Sequence, residues 1–441
     1  MSEFASAFAD FDAVQSPKLK KMLLARKSLD LLPKFARSAH LSSAQIYERE
    51  RIYGAHNYKP VEVALCKGEG IYVWDVEGKK YFDFLSGYSV VNQGHCHPRL
   101  VEVMAKQAKT LTITSRAFYN NVLGEYAEYI TKLLGYNKVL PINSGVEGSE
   151  TSVKLARRWA YTVKGVQRDN AKIVVPANSY WGRSIAAIST STDIDAYSGF
   201  GPFLPGFEIV PYDDLEALEK SFKDFNTAAF LVEPIQGEAG VIVPSPGYLQ
   251  GVRDLCTKYN VLFIADEVQT GLGRTGRLLC THHDNVRPDV IVLGKALSGG
   301  MYPVSAVLAD DPIMLSILPG THGSTYGGNP LACRLAIEAL KIIVEEKLPE
   351  NSAKLGAILI DELKKLPKEA VKQVRGRGLF AAIVMEKKIS AWDLCLKLRD
   401  NGVLAKNTHG DTIRFCPPLV INEQQLREVI GIIHKTIISM M

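Results

Sequence analysis

From about residue 120 onward the chain repeats one pattern: short apolar runs separated by longer stretches whose apolar residues recur at helical spacing. The runs lie at 139–142, 173–175, 207–210, 228–232, 261–265, 290–293 and 304–308. Most are rich in Val, Ile or Leu and end at polar residues or glycine, as strands buried on both faces do. Helical patterns fill several gaps, at 148–164 and 249–259 for example. Strands alternating with helices predict an α/β domain around a mostly parallel sheet with helices on both faces. Upstream, 43–53 reads as a short helix and 54–60 as loop, and the runs at 71–74 and 80–84 flank a Gly-ended turn as a β-hairpin. A polar loop at 86–98 precedes a helix from about Arg99, and after Gly328-Asn-Pro330 a long helix runs to about Lys347. Strands at 379–384 and 413–415, with helices at 390–399 and 423–439, predict a smaller α+β domain. The expected division is an arm and hairpin segment (1–90), a large domain (91–340) and a C-terminal small domain (341–441).

Ligands in open α/β sheets bind beyond the carboxyl ends of the strands, so the residues that end each run are the first candidates for chemistry. The run at 261–265 stops at Asp266, and the run at 290–293 stops at Gly294 and Lys295. A lysine held among apolar residues loses solvation of its charged form, becomes nucleophilic and can form a Schiff base with an aldehyde. A buried aspartate can keep a pyridine nitrogen protonated. Lysine plus aspartate is the pair expected for pyridoxal 5'-phosphate (PLP). Either residue alone is more often a loop charge or a strand-end cap, so the other strand ends matter. Asn143-Ser-Gly-Val-Glu147 follows the 139–142 run and leads into a helix, where backbone N–H groups and the helix dipole suit a phosphate and Gly145 lets the backbone approach closely. Tyr180 and Arg183 follow the 173–175 run; an aromatic face suits a flat ring and a guanidinium suits a carboxylate. Glu233 and Glu238 follow the 228–232 run, and either also fits a solvated loop charge. The stretch 321–329 is rich in glycine and hydroxyls and suits phosphate donors or a simple connector.

Two patterns are decoys. Gly271-Leu-Gly-Arg-Thr-Gly276 matches a dinucleotide fingerprint, but five polar and mixed residues separate it from the strand and no apolar helix follows. His95-Cys-His97 has metal-ligand spacing without a further ligand pair, and Pro98 opening a helix accounts for the loop.

Composition changes the picture little. The 441 residues are 46% apolar and 22% charged, ordinary for a globular chain of two or three domains. The net charge of +5, without a basic stripe interleaved with aromatics, argues against nucleic acid as a partner. No apolar run approaches the length of a membrane span. The seven cysteines (Cys66, Cys96, Cys256, Cys280, Cys333, Cys395, Cys416) are scattered and read as reduced thiols. Residues 18–37 hold seven basic residues and one acid, a faint mitochondrial signal, but Glu3, Asp10 and Asp12 precede them. The expected compartment is the cytoplasm, with the mitochondrial matrix as the alternative.

Taken together these residues resemble the class III, fold-type I PLP-dependent aminotransferases, over nearly the whole chain from about residue 45. The specific parts are Asp266-Glu-Val-Gln269 and Gly294-Lys-Ala296. Within the family, the segments 88–98, 232–240 and 409–420 are most similar to the ornithine-using branch. The resemblance implies a large domain with a mostly parallel seven-stranded sheet, and a smaller α+β domain drawn from both chain ends. It implies a homodimer with shared active sites. It also implies transfer of the δ-amino group of L-ornithine to 2-oxoglutarate, with 4-aminobutyrate or N-acetylornithine as alternative donors. Residue roles follow from the same likeness. Lys295 would hold PLP and move protons, Asp266 would pair with the ring nitrogen, and Gln269 would bond the ring hydroxyl. Gly145 and Val146 would bind the phosphate, with Thr325 reaching the phosphate of a second copy. Tyr180, where the family pattern has Phe, would stack on the ring and keep the π-face. Tyr58 and Arg183 would grip the α-carboxylate of ornithine. Arg183 and Arg414 would take the two carboxylates of 2-oxoglutarate. Glu238 would mask Arg414 while ornithine is bound, and Tyr88 would favour ornithine over 4-aminobutyrate.

Overall fold

The seven apolar runs form strands of a single sheet because none of them offers a polar face to solvent along its whole length. The computed structural model describes residues 41–441, and the first forty residues of the expected arm, with their mixed targeting signals, lie outside the described residues. The strands are β1 (Lys138–Ile142), β2 (Lys172–Pro176), β3 (Phe207–Val210), β4 (Thr227–Val232), β5 (Leu262–Asp266), β6 (Val290–Leu293) and β7 (Ser305–Ala309). Their order is β1-β7-β6-β5-β4-β2-β3. β7 is antiparallel to both β1 and β6, and the other pairs are parallel. Every strand except β7 therefore ends at the same edge.

Alternation of side chains divides the core between the two faces. Phe263 and Ala265 of β5 join a cluster with Leu335, Ala336 and Leu340. Leu262 and Ile264 point the other way, into a cluster with Leu155 and Ala156. These partners belong to α3 (Pro330–Glu345) and α1 (Gly145–Trp159) respectively, so helices seal both faces as the run pattern requires. β4 to β7 are buried throughout. Each fully buried Leu, Ile or Phe there contributes about 1.5–3 kcal/mol relative to exposure.

Local signals set the helix limits. α3 starts where Asn329 accepts from the Ala332 N–H at 2.9 Å and Pro330 takes the first helical position. α2 (Tyr248–Tyr259) ends at Asn260, which takes the left-handed conformation of a C-terminal cap. α1 begins three residues before the periodicity suggests, and continues past Trp159 as a π turn, Ala160–Lys164. Leu348–Leu363 and Val371–Arg377 are a further helix and strand that the sequence pattern did not single out.

The C-terminal sheet has the order Val371–Arg377, Phe380–Met385, Thr412–Phe415, Lys406–Thr408, all antiparallel. The hairpin at Tyr72–Asp75 and Lys80–Asp83 is present, and Lys80–Asp83 also pairs in parallel with Val403–Leu404. The chain divides into two units, the first being residues 1–66 with 75–79. In its described part Ser42 and Gln45 form a capping box on the helix Ser43–Tyr53, and Glu77 accepts from the Ser43 N–H and hydroxyl. Among the described residues no helix is long and apolar enough to cross a membrane. All seven cysteines are free.

Candidate active site

Five strand ends meet at the shared edge: Asn143 after β1, Asn178 to Arg183 after β2, Glu233 to Glu238 after β4, Asp266 ending β5 and Lys295 after β6. Asp266 is buried, with one carboxylate oxygen accepting from the Val268 N–H at 3.1 Å and the other from the Ser149 hydroxyl at 3.0 Å. Ser149 stands one turn into α1, on the face that Gly145 opens, so the helix that offers backbone donors also braces the carboxylate. Burial pushes the Asp266 carboxyl up to about 6, against the pull of its hydrogen bonds and of Lys295.

Lys295 sits in a one-turn 3₁₀ segment, Lys295–Ser298, at φ 46°, a left-handed conformation that few non-glycine residues take. Burial lowers its ammonium below the ordinary lysine range, although Glu238, Asp266 and Glu233 all favour the charge. A cavity of about 300 Å³ is lined by Asn143, Ser144, Gly145, Lys295 and Ser298 among others. At its helical wall Ser144 and Glu147 form a capping box. That box leaves the first N–H groups of α1, those of Gly145 and Val146, for an anion.

The second half of the site is an ion pair. Arg414 lies mid-strand in Thr412–Phe415 with its side chain only 3% exposed. It meets Glu238 in a bidentate fork, Nη1 to Oε1 at 2.7 Å and Nη2 to Oε2 at 3.1 Å. Burial alone would raise the Glu238 carboxyl; the Arg414 charge outweighs this and holds it below its usual range. Gln269 donates to Glu238 at 3.3 Å and to the Tyr88 carbonyl at 3.4 Å, while its Oε1 finds no partner among the described residues. A Cβ at Gly237 would fall 1.4 Å from that oxygen, so glycine is required for Gln269 to lie there. The Arg414 guanidinium stands 4.9 Å from the centre of the Tyr88 ring.

Lys295, Asp266, Gln269, Glu238, Arg414 and Tyr88 are thus brought together. Tyr180 and Arg183 form their own pair, with the guanidinium 5.7 Å from the ring centre. Thr325 is exposed, and its neighbour Ser324 accepts from Asn143 at 2.9 Å. Tyr58 belongs to the first unit and is 83% exposed. Residues 271–276 form a turn before the 3₁₀ segment Cys280–His283, not a strand-to-helix phosphate loop; Arg274 there is fully buried and donates to Asn92, Leu379 and Pro417. Sequence reasoning passed over Ser149 and left Glu233 unassigned. Glu233 accepts from the Tyr180 N–H at 2.9 Å and the Gly237 N–H at 3.1 Å. It ties two loops of the site together. Its place directly after β4 and before Pro234 was the available signal.

A buried acid and a desolvated lysine thus share one edge of a seven-stranded sheet. The chain matches the family described as aminotransferase class-III over residues 53–437, and it belongs to that family. It is 66% identical over 93% of its length to the probable ornithine aminotransferase, mitochondrial, of Caenorhabditis elegans, covering 97% of that protein. It is likewise 66% identical over 90% of its length to the ornithine aminotransferase, mitochondrial, of Rattus norvegicus, covering 91% of it. Among solved structures, the ornithine aminotransferase of Toxoplasma gondii superposes with a TM-score of 0.91 at 46% identity, over 94% of this chain and 99% of that one. Fold-type I architecture and PLP as the cofactor follow from the family. The residues fit that cofactor: an amine of lowered pKa, an acid braced by Ser149, an unpartnered amide oxygen and a helix start with donors to spare.

Proposed function

We propose that this aminotransferase moves the δ-amino group of L-ornithine to 2-oxoglutarate, giving L-glutamate 5-semialdehyde and L-glutamate. The observation that carries the reading is the Glu238–Arg414 fork. Ornithine must present its far amine to the reacting centre, with its α-carboxylate held elsewhere. An unmasked arginine beside the lysine would draw that carboxylate in and reverse the substrate. The acceptor 2-oxoglutarate carries two carboxylates and needs both ends held. An arginine covered by a carboxylate answers both requirements, because a diacid can displace the cover.

The roles of the chain's own groups follow. PLP, when bound, supplies an electron sink for the carbon that bears the amine. Lys295 holds the cofactor and carries the proton at that carbon. Asp266 would pair with the ring nitrogen, and Gln269 would bond the ring hydroxyl through its unpartnered oxygen. Gly145 and Val146 would hold the phosphate by their N–H groups, and Tyr180 would stack on the ring. Arg183 would grip the α-carboxylate of ornithine and later the distal carboxylate of 2-oxoglutarate; Arg414 would take the proximal one. Tyr88 favours ornithine over 4-aminobutyrate. The working form is a homodimer in which Thr325 serves the phosphate of the second copy. The compartment is the mitochondrial matrix, a reading supported by relatives whose names include the word mitochondrial, and it replaces the cytoplasm as the favoured assignment.

The test is a donor panel. Purified holoenzyme should turn over ornithine with 2-oxoglutarate, with kcat/KM at least about tenfold above that for 4-aminobutyrate or N-acetylornithine. Equal or greater efficiency with either alternative donor would overturn the assignment.

A further inference from the structure

The residues Ser86–Ser89 carry Tyr88 and stand in a left-handed run, with φ 53° at Ser86, 57° at Gly87, 64° at Tyr88 and 71° at Ser89. Only one of the four is glycine. In a left-handed residue the side chain crowds the following carbonyl oxygen, which strains the backbone. Such a run persists only where its surroundings over-determine it.

Asp83, the last residue of Lys80–Asp83, meets the start of the run. Its Oδ1 accepts from the Leu85 N–H at 2.9 Å and the Ser86 N–H at 2.8 Å. Its Oδ2 lies 2.7 Å from His95 Nε2, so the carboxylate cannot rotate away from those two donors without losing the ring. His95 is fixed in turn. It exchanges backbone hydrogen bonds with Gly70, at 3.0 and 2.8 Å. Its ring also lies close over Gly68, where an added Cβ would come within 2.9 Å of the imidazole Cγ. At the far end of the run, the Tyr88 carbonyl accepts from Gln269 and the Tyr88 ring stands against Arg414. His97, the other histidine of the metal-like pattern, pairs with Glu346 instead, so the two rings serve separate purposes.

We propose that Asp83 and His95 are positioning residues for donor selection, a clamp that holds the left-handed run and thereby sets Tyr88 against Arg414. The proposal rests on Tyr88 being the residue that favours ornithine over 4-aminobutyrate. One carboxylate oxygen satisfies the two donors at the entry to the run, and the histidine locks the other. Without the clamp the run relaxes toward ordinary backbone angles and the Tyr88 ring leaves the guanidinium.

The experiment compares holoenzymes carrying His95→Ala, His95→Gln, Asp83→Ala, Tyr88→Ile and the His95→Ala/Tyr88→Ile pair. The readouts are kcat/KM for ornithine over that for 4-aminobutyrate, and amide hydrogen exchange of residues 85–91. The ratio should fall about tenfold in His95→Ala, Asp83→Ala and Tyr88→Ile, and the double variant should fall no further than Tyr88→Ile alone. His95→Gln, whose amide N–H reaches the same carboxylate oxygen, should stay within about threefold of the parent. Exchange in the 85–91 segment should quicken in His95→Ala. A wild-type ratio in His95→Ala, or equal losses with both donors, would overturn the proposal. If Tyr88→Ile itself keeps the parent ratio, the reading of Tyr88 has failed, and the clamp is judged on exchange alone: unchanged protection in His95→Ala would then sink it. His95→Ala and His95→Gln keep the test decisive if Asp83→Ala does not fold.

Discussion

Arg414 shows what a single residue can contribute once it is buried. A guanidinium withdrawn from water needs a partner, and Glu238 supplies both oxygens. Removing that partner leaves the charge bare to any carboxylate that enters. Glu238→Ala is therefore expected to raise activity with α-amino donors such as glutamate relative to ornithine, and Glu238→Gln to do so less, since an amide oxygen still accepts from the guanidinium. Steady-state rates with both donors check this; no change in their ratio would remove the masking role. Arg414→Lys keeps the charge and loses the fork. Single-turnover traces should show the 2-oxoglutarate half-reaction slowed about tenfold or more, and the ornithine half-reaction much less, because hydrogen bonds to charged groups contribute about 1.5–3 kcal/mol. Equal slowing would count against a gate. Most of these residues were legible in the sequence from strand ends and family likeness. Ser149 and Glu233 were not, because a hydroxyl on a helix and an acid in a loop acquire meaning only from what lies opposite them.

At the scale of elements, the site depends on where α1 begins. Ser144 and Glu147 close a capping box, so the helix starts at Gly145 and its first donors face the cavity. Ser144→Ala should lower the stability of the cofactor-free protein by about 1 kcal/mol in denaturant unfolding. It should also weaken PLP binding in titrations; unchanged affinity would separate the cap from the phosphate. The periodicity of apolar residues placed the start at 148, three residues late, because the first turn of α1 holds no apolar stripe. The seven strands were read almost to the residue. Strands buried on both faces must be apolar at every position, which leaves a continuous run. The strand Val371–Arg377 escaped notice because charged and polar residues interrupt it and much of it is only partly buried.

For the whole molecule, the gathering of acids around one amine makes stability depend on pH. Burial, then the Asp266 charge, raises the Glu233 carboxyl from 4.5 to about 8. Over that interval the folded protein keeps a proton that the unfolded chain has released. Stability attributable to this group therefore falls as pH rises, by about 1.4 kcal/mol per pH unit. In cofactor-free protein, Glu233→Gln should remove that slope. Denaturant unfolding at pH 5 and pH 8 should show the variant gaining on the parent at the higher pH. A difference that is the same at both would mean that Glu233 is charged throughout. The lost acceptor for the Tyr180 or Gly237 N–H shifts both values alike and leaves the slope readable.

By itself the sequence determined the α/β class and the seven strands, and it singled out Asp266 and Lys295 as candidates because each stands where an apolar run stops. Those follow from local periodicity and from where apolar runs stop, which a linear chain displays. Tertiary structure decided the rest: Glu238 closes Arg414, as the family likeness implied and local pattern did not, Ser149 braces Asp266, and Asp83 and His95 stand behind the turn bearing Tyr88. Each of those contacts except the last spans more than a hundred residues. The last is short in sequence but depends on a left-handed run that residue preferences argue against. Nothing in local pattern encodes which distant side chain will lie opposite a buried charge; packing selects it.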